Sequence, residues 1–467
     1  MRVSVSVIAT SSLGDRSYLA SDGEVAVVID PQRDVDRILA LAGQQGVRIT
    51  HVAETHIHND YVSGGLDLTR LTGAAYLINA ADQVGFPRTP VRDGDLVPVS
   101  DRMRLRVLAT PGHTFHHLSY VLDEHVDGDW RPVGVFTGGS LLYGTTGRPD
   151  LLGREHAHTL AAHQHASARR LADLLPDHTR IWPTHGFGSF CSATQVEAEE
   201  STIGREKAVN PVLRLASDEF IARTLAELDA YPAYYAHMGV RNSTGPEPVD
   251  LTPPQRADAA EIQRRIAAGE WVVDLRHHTA YAASHVAGTI SIGLNGAMST
   301  WLGWLIDWGA PLTLLADDPE QIAEAQRELV RIGIDRPTAA ATGGPEQWVT
   351  DPTQLRHLPR ADFATLAAVQ AGEGPAELPA PDVVLDVRLT NEWNAGHLAG
   401  AVHIPLPELR QRMADLPPGV VWVHCRSGYR ATIAASLLAA AGRQVVLVDD
   451  HVDQAARAGL ELTGATA

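Results

Sequence analysis

Residues 420–442 leave the chain few alternatives. Val420-Val421-Trp422-Val423 is an apolar run with the look of a buried strand. Ala431–Ala441 is almost entirely Ala, Leu and Ile, reads as a buried helix, and is closed by Gly442. Between them lies His424-Cys425-Arg426-Ser427-Gly428-Tyr429-Arg430, so one of only two cysteines sits on a strand-to-helix loop. At such a loop backbone N–H groups converge and the helix dipole favours a thiolate. Arg426 and Arg430 add positive charge, and a thiolate so placed is a nucleophile able to hold a second sulfur as a persulfide. A free cysteine is more often a small buried hydrophobe; two arginines and a glycine around this one weigh against that reading.

The stretch resembles the active loop of the rhodanese (sulfurtransferase) family, Cys-x-x-Gly-x-Arg. The resemblance extends upstream through Val384-Leu385-Asp386-Val387-Arg388, Glu392-Trp393, Gly396-His397-Leu398-Ala399-Gly400-Ala401 and His403-Ile404-Pro405-Leu406. It implies Cys425 as the persulfide carrier and Arg430 as its catalytic companion. Arg426, Ser427, Gly428 and Tyr429, through the loop amides, are implied with Arg430 to hold an anionic sulfur donor or acceptor.

At 467 residues the chain has room for about three domains. A net charge of −18 argues against nucleic acid and anionic membrane as partners. Cys191 and Cys425 cannot make a disulfide scaffold, so a reducing cytoplasm is the expected compartment. No apolar run reaches membrane-spanning length, the first eight residues alternate like a strand and unlike a signal peptide, and Gly464–Ala467 are expected to fray.

In the first half, Val3–Ile8, Tyr18–Ala20, Ala26–Ile29 and Ile49–Ala53 read as strands and Asp34–Leu41 as a helix. The last of these strands delivers Glu54-Thr55-His56-Ile57-His58-Asn59-Asp60-Tyr61. Two imidazoles and a carboxylate on one loop are ligands suited to zinc or iron. Among 22 histidines a single His-x-His pair is ambiguous. His113 after Leu105–Leu108 and His185 after Ile181-Trp182 strengthen it, because each follows a strand end.

These stretches, with Ile29-Asp30-Pro31-Gln32, Phe136-Thr137-Gly138 and Gly147-Arg148-Pro149-Asp150, resemble the metallo-β-lactamase fold family from about residue 3 to 215. Within it they look like the persulfide dioxygenase and glyoxalase II branch. The resemblance implies an αββα sandwich with metal at the strand ends. It implies His56, His58 and His113 as a first metal site, and Asp60 and His185 in a second site or its surroundings. In persulfide dioxygenases a single Fe(II) is held by a triad that would fall on His56, His113 and the residue after Thr137-Gly138. The chain departs from that pattern twice: Tyr61 stands where the family has His, and Gly139 where it has a metal-binding Asp. Three outcomes stay open. Asp60 or water completes an iron site with His56 and His113; His56, His58 and His113 hold one metal with an open position; or the site is empty and the domain binds or packs. One metal ion is expected, Fe(II) favoured over Zn(II). His116, His117, His156, His158, His163 and His165 are read mostly as solvated or capping residues, and Cys191 as packing.

The second half contains an internal duplication. Trp271-Val272-Val273-Asp274-Leu275-Arg276 parallels Val383–Arg388, and His285-Val286-Ala287-Gly288 parallels His397–Gly400. Spacing from the helix-ending Gly333 puts Ala316 where the later copy has Cys425, followed by Asp317 and Asp318, which repel an anion. The earlier copy is expected to be a catalytically silent rhodanese module. Trp301, Trp304 and Trp308 have helical spacing and are read as packing. Phe220–Tyr234 reads as helical and Val240–Arg256 as a linker.

The expected architecture is α/β: an N-terminal αββα metallo-β-lactamase sandwich (1–245), then two rhodanese-like α/β domains with parallel sheets, inactive (253–350) and active (358–467). The expected activity is reactive sulfur metabolism: sulfurtransfer through a Cys425 persulfide beside metal-dependent persulfide dioxygenation. The partners are small sulfur compounds, namely thiol persulfides, thiosulfate, sulfite and low-molecular-weight thiols, and a homo-oligomer is left open. The rivals are a glyoxalase II-like thioester hydrolase fused to a rhodanese, and a non-catalytic N-terminal scaffold.

Overall fold

Strand Val25–Ile29 is buried on both faces, and that decides the layering. Val27 and Ile29 join one apolar cluster while Ala26 and Val28 join another, as the two-residue period of a strand requires. The first sheet runs in chain order through Ser4–Thr10, Asp15–Ser21, Val25–Ile29, Arg48–Ala53, Ala75–Asn79 and Thr89–Val91. The second runs Ser201–Thr202, Arg180–Pro183, Asp129–Gly138, Leu118–Val126, Met103–Ala109 and Leu96–Pro98. Leu105, Tyr120 and Phe136 of the second sheet meet Val27, Ile29 and Leu77 of the first, so the two sheets share one core. Helices Asp36–Gln45 and Gly65–Thr72 cover the outer face of the first through Ile38 and Leu68. Ala157–Leu174 covers that of the second through Ala161 and Leu171. This is the αββα sandwich, with each buried Leu or Ile contributing about 1.5–3 kcal/mol.

This computed structural model describes residues 2–193 and 199–464; the expected fraying of Ala465–Ala467 lies outside the described residues. The chain divides into two compact units, Met1–Asp250 with Leu329–Gly333, and Leu251–Glu328 with Ile334–Ala467. Among the described residues no helix is long and apolar enough to cross a membrane.

The second unit holds two five-stranded parallel sheets of the same strand order. One is Gln255–Arg256, Ala339–Thr342, Leu312–Ala316, Trp271–Asp274, Ile290–Ser291; the other is Arg360–Ala361, Val445–Val448, Val421–His424, Val383–Asp386, Val402–His403. The duplication reaches the side chains. Arg276 Nη2 bonds Asp274 at 2.6 Å and the Ser284 carbonyl at 2.7 Å; Arg388 Nη2 bonds Asp386 at 2.6 Å and the Gly396 carbonyl at 2.8 Å. His285 and His397 each donate Nδ1–H to the carbonyl four residues before them, at 2.9 Å. Asp274 pairs with Leu315 and Asp386 with His424, so Ala316 occupies the place of Cys425.

Two local expectations are corrected. Val240–Arg256 is not all linker, because helix Tyr235–Thr244 takes its first residues, burying Met238 and Asn242 four apart on one face. The helix before it stops at Glu227, short of Tyr234. The tryptophan run also breaks: Trp301 and Trp304 stack within helix Met298–Leu305, and Trp308 lies beyond it, exposed.

Candidate functional site

Four strands of the sandwich end at one place. Ala53 leads to His56 and His58, Ala109 to His113, Pro183 to His185, and Ile29 to Asp30, and all five side chains are buried. Asp30 is the hub. Its carboxylate accepts from the Thr55 N–H and hydroxyl, each at 2.7 Å, and from the Thr184 hydroxyl. Its φ of 50° lies in the left-handed region, a backbone cost that this ring of bonds sustains.

His56, His113 and His185 converge, their ligand nitrogens within 4.8 Å of one another and the Nε2 atoms of His56 and His185 3.4 Å apart. Each ring is held from behind. His113 Nδ1–H donates to the Arg148 carbonyl at 2.9 Å, and His185 Nδ1 lies 2.9 Å from Asp15 and 3.1 Å from Asp60. His56 Nδ1 lies 2.9 Å from the Thr55 hydroxyl, whose own proton goes to Asp30, so the imidazole donates there too. All three Nε2 atoms are thereby turned toward a common point, the outer-shell arrangement that orients metal-binding histidines. Among the described residues His113 Nε2 is buried with no hydrogen-bond partner, which fits a nitrogen placed to bind a metal. Burial together with the neighbouring imidazoles holds His56 well below the ordinary range and His113 at about 3. Burial opposes charge on His185 as well, but Asp60 and Asp15 outweigh it and lift it to about 9. The pocket therefore favours positive charge at His185 Nε2 beside two neutral lone pairs, and the donor set fits one metal ion.

His58 does not join this set. Its Nε2 lies 3.2 Å from Asp30, 3.2 Å from Glu54 and 3.0 Å from the Tyr61 hydroxyl, and the ring stacks on Tyr61 at 4.3 Å. Burial opposes its charge, yet Asp30 and Glu54 raise it to about 10. Asp60 stands behind His185, and it is His185 whose ligand nitrogen converges with those of His56 and His113. Two further groupings, His58 with Asp60 and His185, and His58 with Asp30 and Glu54, face one another as ion pairs.

Gly139 cannot be replaced by a carboxylate without rearrangement. A Cβ there would lie 2.3 Å from His113 Cδ2, so the His113 ring occupies the space an Asp side chain would need. Its N–H donates to Nε2 of His117 at 3.0 Å, and His117 Nδ1 lies 2.9 Å from the Thr110 hydroxyl. His117 is fully buried and stacks on His56 at 5.0 Å, which corrects its reading as a solvated residue; His165 is buried too. Cys191 is buried beside the pocket, where burial and then the Asp60 charge push its thiol up.

In the second unit Cys425 follows strand Val421–His424 and precedes helix Tyr429–Ala440, and is 1% exposed. Gly428 turns the loop at φ 91°, where a Cβ would meet Asp449 at 1.9 Å. The first N–H groups of that helix have no intrahelical acceptor and lie beside the cysteine. Arg426 and Ser427 are exposed. Arg430 has both terminal nitrogens on Glu392, at 2.5 and 2.7 Å, with its guanidinium 5.7 Å from the Trp301 ring. Tyr429 commits its hydroxyl to the Gly293 carbonyl at 2.7 Å.

The profile of the Metallo-beta-lactamase superfamily matches residues 16–185, and that of the Rhodanese-like domain matches residues 371–457. Hydroxyacylglutathione hydrolase of Maricaulis maris is 30% identical over 248 residues, covering 48% of this chain and 90% of that protein. The chain belongs to the metallo-beta-lactamase superfamily. Human mitochondrial persulfide dioxygenase ETHE1 is 30% identical over 219 residues, 46% of this chain and 76% of that protein. A metallo-beta-lactamase from Staphylococcus aureus subsp. aureus COL superposes with a TM-score of 0.65 at 28% identity, covering 73% of this chain and all of that one.

As a superfamily member this chain also braces its site with residues that motif spacing did not mark. Asn242 is the clearest. Its side chain donates to the His58 and Tyr61 carbonyls at 2.8 Å each and accepts from the Ser63 N–H at 2.8 Å. It lies 179 residues downstream of Ser63, in a stretch whose polar composition reads as linker. Asn242→Leu leaves three buried backbone groups unpaired. It is expected to destabilise the first unit by about 2–4 kcal/mol, visible as a lowered midpoint in urea unfolding; an unchanged midpoint would contradict the anchoring role.

Proposed function

We propose that the chain handles reactive sulfur with two centres. In the second unit, the Cys425 thiolate attacks the sulfane sulfur of thiosulfate. The new S–S bond forms as the old one breaks, and sulfite leaves with the electron pair. An acceptor thiolate then attacks the outer sulfur, giving a thiol persulfide and regenerating Cys425. The reading rests on the position of Cys425 at a helix start inside the stretch matched as rhodanese-like. Arg426 and Ser427 line the open side of the loop, where an anionic donor must approach. Arg430, tied to Glu392, braces the loop. Residues 358–467 form this active domain. Residues 253–350, outside the matched stretch, are a silent copy, and Gly293 and Trp301 in it support Tyr429 and Arg430.

In the first unit, residues 1–245, we infer oxidation of a low-molecular-weight persulfide to sulfite: persulfide, O₂ and water give thiol and sulfurous acid. The observation that carries it is the three-histidine convergence of His56, His113 and His185, with His58 engaged by Asp30 and Glu54 and the bridging position closed at Gly139. That favours one metal ion over two. A bound Fe(II) supplies the one-electron chemistry that O₂ requires. The protein's part is to orient three imidazoles through Thr55, Arg148, Asp15 and Asp60 and to keep the pocket buried. A thioester hydrolase is the second reading, favoured by the 90% coverage of hydroxyacylglutathione hydrolase.

Elemental mass spectrometry of anaerobically purified protein, paired with oxygen uptake, decides between them. Near-stoichiometric iron with persulfide-dependent oxygen consumption is expected; zinc with thioester hydrolysis and no oxygen uptake would establish the second reading. His185→Ala is expected to lower bound metal by roughly tenfold or more. Full metal retention in that variant would return the site to His56, His58 and His113.

A further inference from the structure

The second unit contains a cleft of about 360 Å³ that the sulfur chemistry does not use. It lies at the C-terminal end of helix Tyr429–Ala440, on the order of 18 Å along the helix from the Cys425 loop at its start. Its lining includes Arg356, Arg443, His285 and His357 and not one Asp or Glu, in a chain whose net charge is −18.

Neither arginine has a carboxylate partner among the described residues. Arg356 is steadied through Nη1 by the Thr353 and Leu355 carbonyls, at 2.5 and 2.9 Å, and Arg443 through Nη2 by the Pro417 carbonyl. Each guanidinium is thus held by neutral groups with further N–H donors to spare, and its charge is uncompensated. Strand pairing sets Arg356 opposite His285, whose Nδ1–H is committed to the Tyr281 carbonyl. Burial, against the hydrogen bond to Tyr281 and with the positive charge of Arg276, His357 and Arg356, holds His285 at about 4. The carbonyl end of the helix opposes an anion with about half a charge; two arginines outweigh it. Leu358, Ala439 and Val445 supply an apolar wall, and the volume falls at the low end of small-molecule sites, roughly 300–1,000 Å³.

We propose that this cleft is a binding site for a tetrahedral dianion carried on a small organic body, with Arg356 and Arg443 as its charge partners. Phosphate monoesters and sulfur oxyanions share that chemistry. Titration calorimetry of the full chain at low salt, with phenyl phosphate, inorganic phosphate and thiosulfate as probes, tests it. The thiosulfate arm uses the Cys425→Ser background, so that the sulfur loop cannot react. Phenyl phosphate is expected to bind one site per chain, more tightly than inorganic phosphate. Arg356→Ala with Arg443→Ala is expected to weaken binding by roughly tenfold or more, while Arg426→Ala leaves it unchanged. Thiosulfate binding that the double variant loses would identify a sulfur oxyanion as a natural occupant; its absence beside phenyl phosphate binding would identify the phosphate ester. The proposal is overturned if no probe binds the parent, or if the double variant, with its near-ultraviolet circular dichroism unchanged, binds as the parent does. Thiosulfate:thiol transfer is expected to be retained in the double variant, which separates failure here from failure of the sulfurtransferase reading.

Discussion

Cys425→Ser is expected to abolish thiosulfate:thiol transfer, lowering the rate by on the order of a thousandfold or more. The substitution exchanges sulfur for oxygen at a 1%-exposed position and changes little else in volume. A hydroxyl at the same helix start is a far weaker nucleophile near neutral pH and cannot carry a sulfane sulfur reversibly. The fold is expected to survive, because the strand before the loop and the helix after it are set by Val421, Val423, Ile433 and Leu438, all buried. Assay of cyanide or thiol acceptors against thiosulfate, with circular dichroism as the fold control, reads the result. Full activity would remove the assignment outright. Cys191, the only other cysteine, lies fully buried in the other unit, with its thiol pushed up by burial.

Gly139→Asp is the second large effect, and its direction runs against motif arithmetic. The sequence suggests that restoring the family's Asp would restore a metal ligand. The structure predicts the reverse. The new Cβ would lie 2.3 Å from His113 Cδ2 and 2.5 Å from Cγ, so the buried His113 ring or the Gly139 backbone must shift. His113 would have to leave its bond with the Arg148 carbonyl, and the Gly139 N–H its bond with His117. The variant is expected to lose about 2–4 kcal/mol of stability and most of its bound metal. Thermal unfolding and elemental mass spectrometry check both. Undiminished metal with unchanged stability would mean that the His113 ring moves freely, and the three-histidine site would no longer follow.

Much of the site was legible before any coordinates. Each histidine that converges follows a strand end, and strand ends are readable because apolar runs are local. The loop around Cys425 was legible for the same reason, since strand, loop and helix are contiguous. The duplication was legible as spacing, and the matching Arg276–Asp274 and Arg388–Asp386 bonds are its side-chain form. Spacing did not separate the histidines from one another. His58 has the motif spacing but turns into Asp30 and Glu54, residues 28 and 4 positions away. His117 has no motif and packs on His56.

The chain by itself determined the layers, the strand-end placement of the histidines and the strand-to-helix placement of Cys425, because hydrophobic period, turn residues and loop composition act over a few residues. Tertiary structure alone decided which nitrogens face one another. His185 becomes the partner of His56 and His113 because Asp15, at the start of one strand, and Asp60, in the loop after another, orient it from distant parts of the chain. Gly139 stays a glycine because a ring 26 residues away fills its side-chain space. Those outcomes depend on distances of a few ångströms between segments far apart in sequence, and such distances exist only once the sheets have packed.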